Sequence, residues 1–200
     1  MTKASKASLL TILRAAVTLL GIALLFLVLV DVVLILVFMV AGDGAVNAYL
    51  EWKNFPLDAL MLHTTGFAVM LRDQPLDTVR TPMLLYSLGM ETGYTLIRLV
   101  ALFYIRRILD DSVRQGPFIM KNVNRIRIMG TVIGLAPQAL NVLAWQAGGV
   151  FAPHVAPGKG EAFAFFWFDT NALFLGVILW VLAEAFRQGV RIREDQDLTI

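Results

Sequence analysis

Apolar residues run along this chain in long blocks separated by shorter polar segments. The first block is almost unbroken: from Ala15 to Ala41, 27 residues, only Thr18 and Asp31 interrupt it. At about 1.5 Å per residue this makes a rod of roughly 40 Å, longer than a ~30 Å hydrocarbon core. A cleaved signal peptide has an apolar region of only ~7–15 residues, so a retained, tilted or protruding span is expected. Three further blocks follow, and the pattern predicts spans at about 12–40, 83–104, 126–147 and 162–186. They leave connections at 41–82, 105–125 and 148–161 and a tail at 187–200. Gly116-Pro117-Phe118 should break one helix and restart the next, with Pro117 in a first turn, and Pro137 should kink the third span. The first connection contains LEWKNF and MLHTTGFAVML, apolar enough to pack as small helices or a hairpin. The fold expected is an all-α membrane protein. It is a four-transmembrane-helix bundle forming one domain over residues 1–200, with a structured outer connection of about 40 residues.

Polar residues inside the spans change that picture. Glu91 and Arg98 lie seven residues apart, two helical turns, so they share a face with Ser87 and Thr95. A charge facing lipid at the bilayer centre costs at least ~2.5–3.5 kcal/mol, so both should point inward. Gly89 with Gly93, and Gly130 with Gly134, are small-xxx-small pairs that let a second helix approach closely. Asp31, Glu91, Asn141 and Asp169 fall in the outer half of the spans, Gln138 nearer the middle, and Arg98 and Glu184 nearer the inner end. Arg98 has Glu91, Asp31 and Glu184 as candidate partners. The stripe Asp169, Leu173, Gly176, Trp180, Glu184 lies on one face of the fourth span. These residues suit either interhelical hydrogen bonds holding the helices in register, or an outer cavity for a cation, a proton or a basic ligand.

Composition narrows the class further. The chain is 58% hydrophobic with a mean hydropathy of +0.72, too apolar for an ordinary soluble domain. It has no cysteine, so disulfides and thiolate metal sites are excluded. The net charge of +2 does not point to nucleic acid, because the bases sit at the ends of apolar spans. Counting Lys and Arg, the N-terminus, the 105–125 region with the start of the third span, and the C-terminal tail hold twelve, against four in the other two connections. That bias places both termini in the cytoplasm, which four spans allow. His63 and His154 have no metal-binding spacing, so no metal is expected. Neither a nucleophile motif nor a nucleotide loop is present, so no enzyme activity and no cofactor are expected.

The inner segments carry the most specific patterns. Gln115 to Gly130 reads QGPFIMKNVNRIRIMG, with apolar positions and bases suited to a helix entering the third span or to a basic anchor on anionic lipid. In the tail, Gly189 can terminate the fourth helix. The acids Glu194, Asp195 and Asp197 then lead to Leu198-Thr199-Ile200, an apolar end able to add to a partner's sheet edge, to fold back on the protein or to stay disordered. Gly116, Pro117, Phe118, Asn122 or Asn124, Arg125, Arg127 and Gly130 form one patterned stretch. Phe186, Gly189, Arg193, Glu194, Asp197, Leu198, Thr199 and Ile200 form the other. Together they resemble the YoaS-like family of small bacterial four-span membrane proteins of unknown function. The resemblance covers all four spans, although only these stretches are specific. It implies a gene neighbour encoding an Xre/Cro-type helix-turn-helix regulator, and hence a membrane protein that controls a transcription factor.

The expected role is therefore that of a bacterial inner-membrane regulatory or sensory protein. Gly116, Pro117, Phe118, Asn122, Arg125, Arg127, Arg193, Glu194, Asp197 and Leu198 are the expected partner-binding residues. Its expected partners are the lipid bilayer, the helix-turn-helix regulator and a possible second copy of the chain, with no direct nucleic-acid contact. Two other roles fit the same residues. One is a small transporter or channel subunit using the intramembrane polar cluster, and the other is a purely structural membrane subunit.

Overall fold

In the computed structural model, residues 3–52, 61–64, 67–71, 80–155 and 160–197 are described. Five helices and three strands follow in order: α1 (Lys3–Ala41), α2 (Asp43–Trp52), β1 (Met61–Thr64), β2 (Phe67–Leu71), α3 (Arg80–Gln115), α4 (Met120–Val155), β3 (Gly160–Ala164) and α5 (Thr170–Asp197). Four of the helices are long and apolar enough to cross a membrane, over Leu9–Ala41, Leu84–Gln115, Met120–Val150 and Thr170–Gln196. This is a multi-pass membrane protein whose spanning elements are all helical.

The helix ends follow from local chemistry. Gly42 follows α1 with φ +61°, a left-handed conformation, and donates its N–H to the Phe38 carbonyl at 3.0 Å. Gly116, after α3, is likewise left-handed at φ +89°. Pro117 follows, and α4 begins at Met120, so the Gly-Pro-Phe break falls where the sequence places it. Both flanking helices reach far into the 105–125 connection, which is therefore mostly helix. The fourth span starts later than the apolar run suggests, at Thr170 rather than 162. Ala162 to Ala164 belong instead to β3, and Asp169 is the N-cap of α5: its Oδ1 accepts the Ala172 N–H at 2.9 Å. Nor does Gly189 end α5, which continues to Asp197. Its lack of a side chain serves packing, described below.

The chain forms two compact units, residues 1–26 with 95–137 and 169–200, and residues 27–94 with 138–168. In the first, Val123, Ile126, Ala183 and Val190 make the buried core, flanked by Ile108, Leu179 and Phe186. There α4 and α5 touch through backbone. A Cβ on Gly176 would stand 2.7 Å from the Gly130 carbonyl oxygen and 2.8 Å from the Gly134 Cα. The stripe Leu173, Gly176, Trp180 and Glu184 is the face of α5 turned to α4, and Trp180 Nε1 donates to Thr131 Oγ1 at 3.2 Å.

In the second unit, Phe38 and Val46 are buried and the Phe38 ring meets Tyr49 edge-on at 5.4 Å, closing the corner between α1 and α2. The Thr81 hydroxyl donates to the Asp43 carboxylate, tying the start of α3 to the start of α2. Gly93 receives the Leu140 side chain, 3.1 Å from where a Cβ would sit, whereas a Cβ at Gly89 would meet nothing within 4 Å among the described residues. The sheet lies in this unit too. It runs antiparallel in the order β1-β2-β3, pairing Met61 with Met70, and Phe67 with Ala164. Thus the connection between the first two spans and that between the last two share one sheet.

Candidate functional site

Two sets of residues were candidates, the polar residues of the spans and the residues around the α3–α4 turn. The structure treats them differently.

Each unit holds part of the intramembrane polar set. Asp31, Glu91, Gln138 and Asn141 belong to the second unit, and Arg98, Asp169 and Glu184 to the first. Glu91 and Arg98 are exposed on the surface of the chain rather than enclosed by its helices. The reason is that α3 spends its inward positions on small or neutral groups: Thr95 is buried to 2% exposure and Gly93 accepts Leu140. Glu91 interacts electrostatically with Asp31, and the Thr92 hydroxyl lies 3.5 Å from Asp31 Oδ2. Asn141 is fully buried, and Tyr94 O–H donates to its Oδ1 at 2.5 Å. Its Nδ2 has no hydrogen-bond partner among the described residues, and an unmet buried donor costs about 1–3 kcal/mol. Tyr86 O–H donates to the Ala144 carbonyl at 3.0 Å in the same unit. Neither tyrosine stands out in the sequence, because nothing local distinguishes them from aromatic residues that face lipid.

Glu184 is held by two arginines of the first unit. It takes Arg187 of its own helix at 2.6 Å and Arg127 of α4 at 3.5 Å, while the Arg127 guanidinium stands 5.7 Å over the Trp180 ring. Asp169, as the N-cap of α5, has a structural role that accounts for its position at a span end.

The α3–α4 turn is a clasp. One terminal nitrogen of Arg125 reaches Asp111 Oδ2 at 2.7 Å, the Arg107 carbonyl at 3.0 Å and Asn122 Oδ1 at 3.0 Å. Asn122 is fully buried and donates its Nδ2 hydrogen to the Pro117 carbonyl at 3.1 Å. So the end of α3, the turn and the first turn of α4 are joined by two side chains. α5 closes on the same turn. Phe118 lies over Gly189, where a Cβ would come within 2.6 Å of the ring, and its centroid is 5.3 Å from that of Phe186. Arg193 donates to the Gln115 carbonyl at 2.9 Å, satisfying one of the free carbonyls that end α3. On the other side, Arg14 Nε sits 2.7 Å from Asp110 Oδ1, an ion pair without hydrogen-bond alignment.

Most of the residues expected to bind a partner therefore bind the chain itself: Gly116, Phe118, Asn122, Arg125 and Arg193 build the clasp, and Arg127 holds Glu184. What the clasp leaves open is a groove of about 500 Å³. Phe118, Ile119, Met120 and Val190 line it with apolar surface, and Arg193 and Glu194 add opposite charges. Asp197 is the last residue of α5, and Leu198 lies outside the described residues. The α3–α4 clasp and the four spans define a polytopic helical membrane protein with a built surface at one end of its helices. The family described as "Protein of unknown function (DUF2975)" matches residues 48–200, and the chain belongs to it. No curated protein and no solved structure matches the chain.

Proposed function

We propose that this protein is a bacterial inner-membrane regulatory protein that holds a cytoplasmic helix-turn-helix regulator on the groove beside the α3–α4 clasp. The observation that carries the reading is the groove itself. A mixed lining of Phe118, Met120 and Val190 with Arg193 and Glu194 offers apolar anchorage and charge selection together, the pattern of a protein-binding patch. The excess of Lys and Arg at this end supports a cytoplasmic orientation, the side on which such a regulator resides. A rigid clasp gives the groove a fixed shape, so little ordering has to accompany binding.

The test is co-purification with the helix-turn-helix regulator that the family resemblance implies beside the gene. Met120→Glu and Glu194→Lys should each reduce the regulator recovered about ten-fold, a loss of ~1.4 kcal/mol. Recovery equal to that of the unsubstituted protein would remove the groove from the function. Deleting residues 187–200 is a poor test, because that segment includes Val190 of the core and the last turns of α5.

A transporter reading draws on one observation, the orphaned Nδ2 of buried Asn141 in the unit that also holds Asp31 and Glu91. Under that reading, proteoliposomes should show proton or cation flux, reduced at least about ten-fold by Asp31→Asn or Glu91→Gln. An absence of flux from the unsubstituted protein under any gradient would end it.

A further inference from the structure

A second groove lies between α1 and α3 in the first unit, with a volume of about 320 Å³. It is lined by Val17, Gly21 and Leu25 of α1 and by Leu99, Phe103 and Arg106 of α3. All of these residues fall within stretches long and apolar enough to cross a membrane, so lipid is the expected surrounding of the opening. The helices are antiparallel here: Arg14 meets Asp110 at the mouth, and the groove runs inward from there. Val17 to Leu25 covers about 12 Å of helix, close to the ~15 Å that is half of a ~30 Å hydrocarbon core. Apart from Thr18, whose hydroxyl donates to the Arg14 carbonyl at 2.8 Å, the lining is apolar except at the mouth. There Arg106 has no ion pair among the described residues, while its neighbour Arg14 is neutralised by Asp110. A further base joins it, because the Arg107 guanidinium stands 5.2 Å from the centre of the Phe103 ring that lines the groove.

We infer that this groove binds one anionic phospholipid, with an acyl chain laid along Gly21 and Phe103 and the phosphate at Arg106. Three features specify that occupant. The length matches one leaflet. Apolar walls suit a hydrocarbon chain and offer nothing to a polar one. The uncompensated positive charge at the mouth selects a negative headgroup, as basic pockets between helices do. Gly21 is what makes the space. A Cβ there would meet nothing within 4 Å among the described residues, so there is room for a larger side chain to enter the groove.

The experiment is native mass spectrometry and thermal unfolding of the full chain in detergent. The probes are phosphatidylglycerol, phosphatidylcholine of the same chains, and glycerol phosphate. The unsubstituted protein should retain one phosphatidylglycerol in preference to phosphatidylcholine and show no stabilisation by glycerol phosphate. Arg106→Gln should reduce that preference about five-fold, and Arg114→Gln, an exposed base beyond the groove, should not. Gly21→Leu should abolish retention of both lipids while unfolding without lipid at an unchanged or higher temperature. Full retention by Gly21→Leu would overturn the proposal, as would an equal effect of Arg106→Gln and Arg114→Gln. Stabilisation by glycerol phosphate alone would overturn it too, by showing a phosphate site without a lipid.

Discussion

Gly176→Ala is expected to be the most damaging single-methyl change in this protein. The added Cβ would stand 2.7 Å from the Gly130 carbonyl oxygen, 2.8 Å from the Gly134 Cα and 3.1 Å from the Gly134 nitrogen. All three are backbone atoms of a helix and cannot turn aside as a side chain would, so α4 and α5 must separate. Overpacking of this kind costs about 1–3 kcal/mol, and contact with backbone argues for the upper end. For a chain of this size that is on the order of 10 °C in Tm. Gly134→Ala on the facing helix makes the contrast. Its Cβ would meet the Gly176 Cα at 3.5 Å, ordinary contact, and alanine favours helix over glycine by about 1 kcal/mol. That variant should be neutral or slightly stabilising. Thermal unfolding of the two proteins in one detergent checks both expectations, and equal melting temperatures would show that α4 and α5 do not meet at these glycines.

The second large effect is expected at Arg125. Removing its guanidinium by Arg125→Met strands the Asp111 carboxylate, the Arg107 carbonyl and the Asn122 side-chain oxygen together. The side chains of Arg125 and Asp111 are only 20% and 23% exposed, so solvent replaces the lost bonds poorly. A loss of about 2–3 kcal/mol follows, below the ~3–5 kcal/mol of a fully buried pair. Asp111→Leu in the Arg125→Met background should recover part of that loss, because it removes the stranded charge. The double-mutant cycle should give a coupling of about 1 kcal/mol or more. A coupling near zero would mean that the clasp is held by Phe118 over Gly189 and not by the ion pair. Because the clasp also shapes the groove beside Met120, Arg125→Met should, on the proposed function, weaken capture of the regulator even where the protein remains folded.

What could be read from residues alone was whatever depends on neighbours along the chain. Apolar runs locate the spans, since any segment long enough to cross a bilayer must bond its own backbone as a helix. Gly116-Pro117-Phe118 locates the turn, because a positive φ and a missing N–H act where they stand. The α5 stripe from Leu173 to Glu184 was visible for the same reason, as periodicity on one helix. The tertiary structure alone decided which residues meet across helices. It gave Glu184 to Arg127 and Arg187, exposed Glu91 and Arg98, and turned the patterned residues Asn122, Arg125 and Arg193 toward the chain itself. It also paired β2 with β3, Phe67 with Ala164, strands that nothing local connects. A helix face is set by its own sequence, but its partner is set by the rotation and depth at which several helices fit. Those are collective quantities with no local signature.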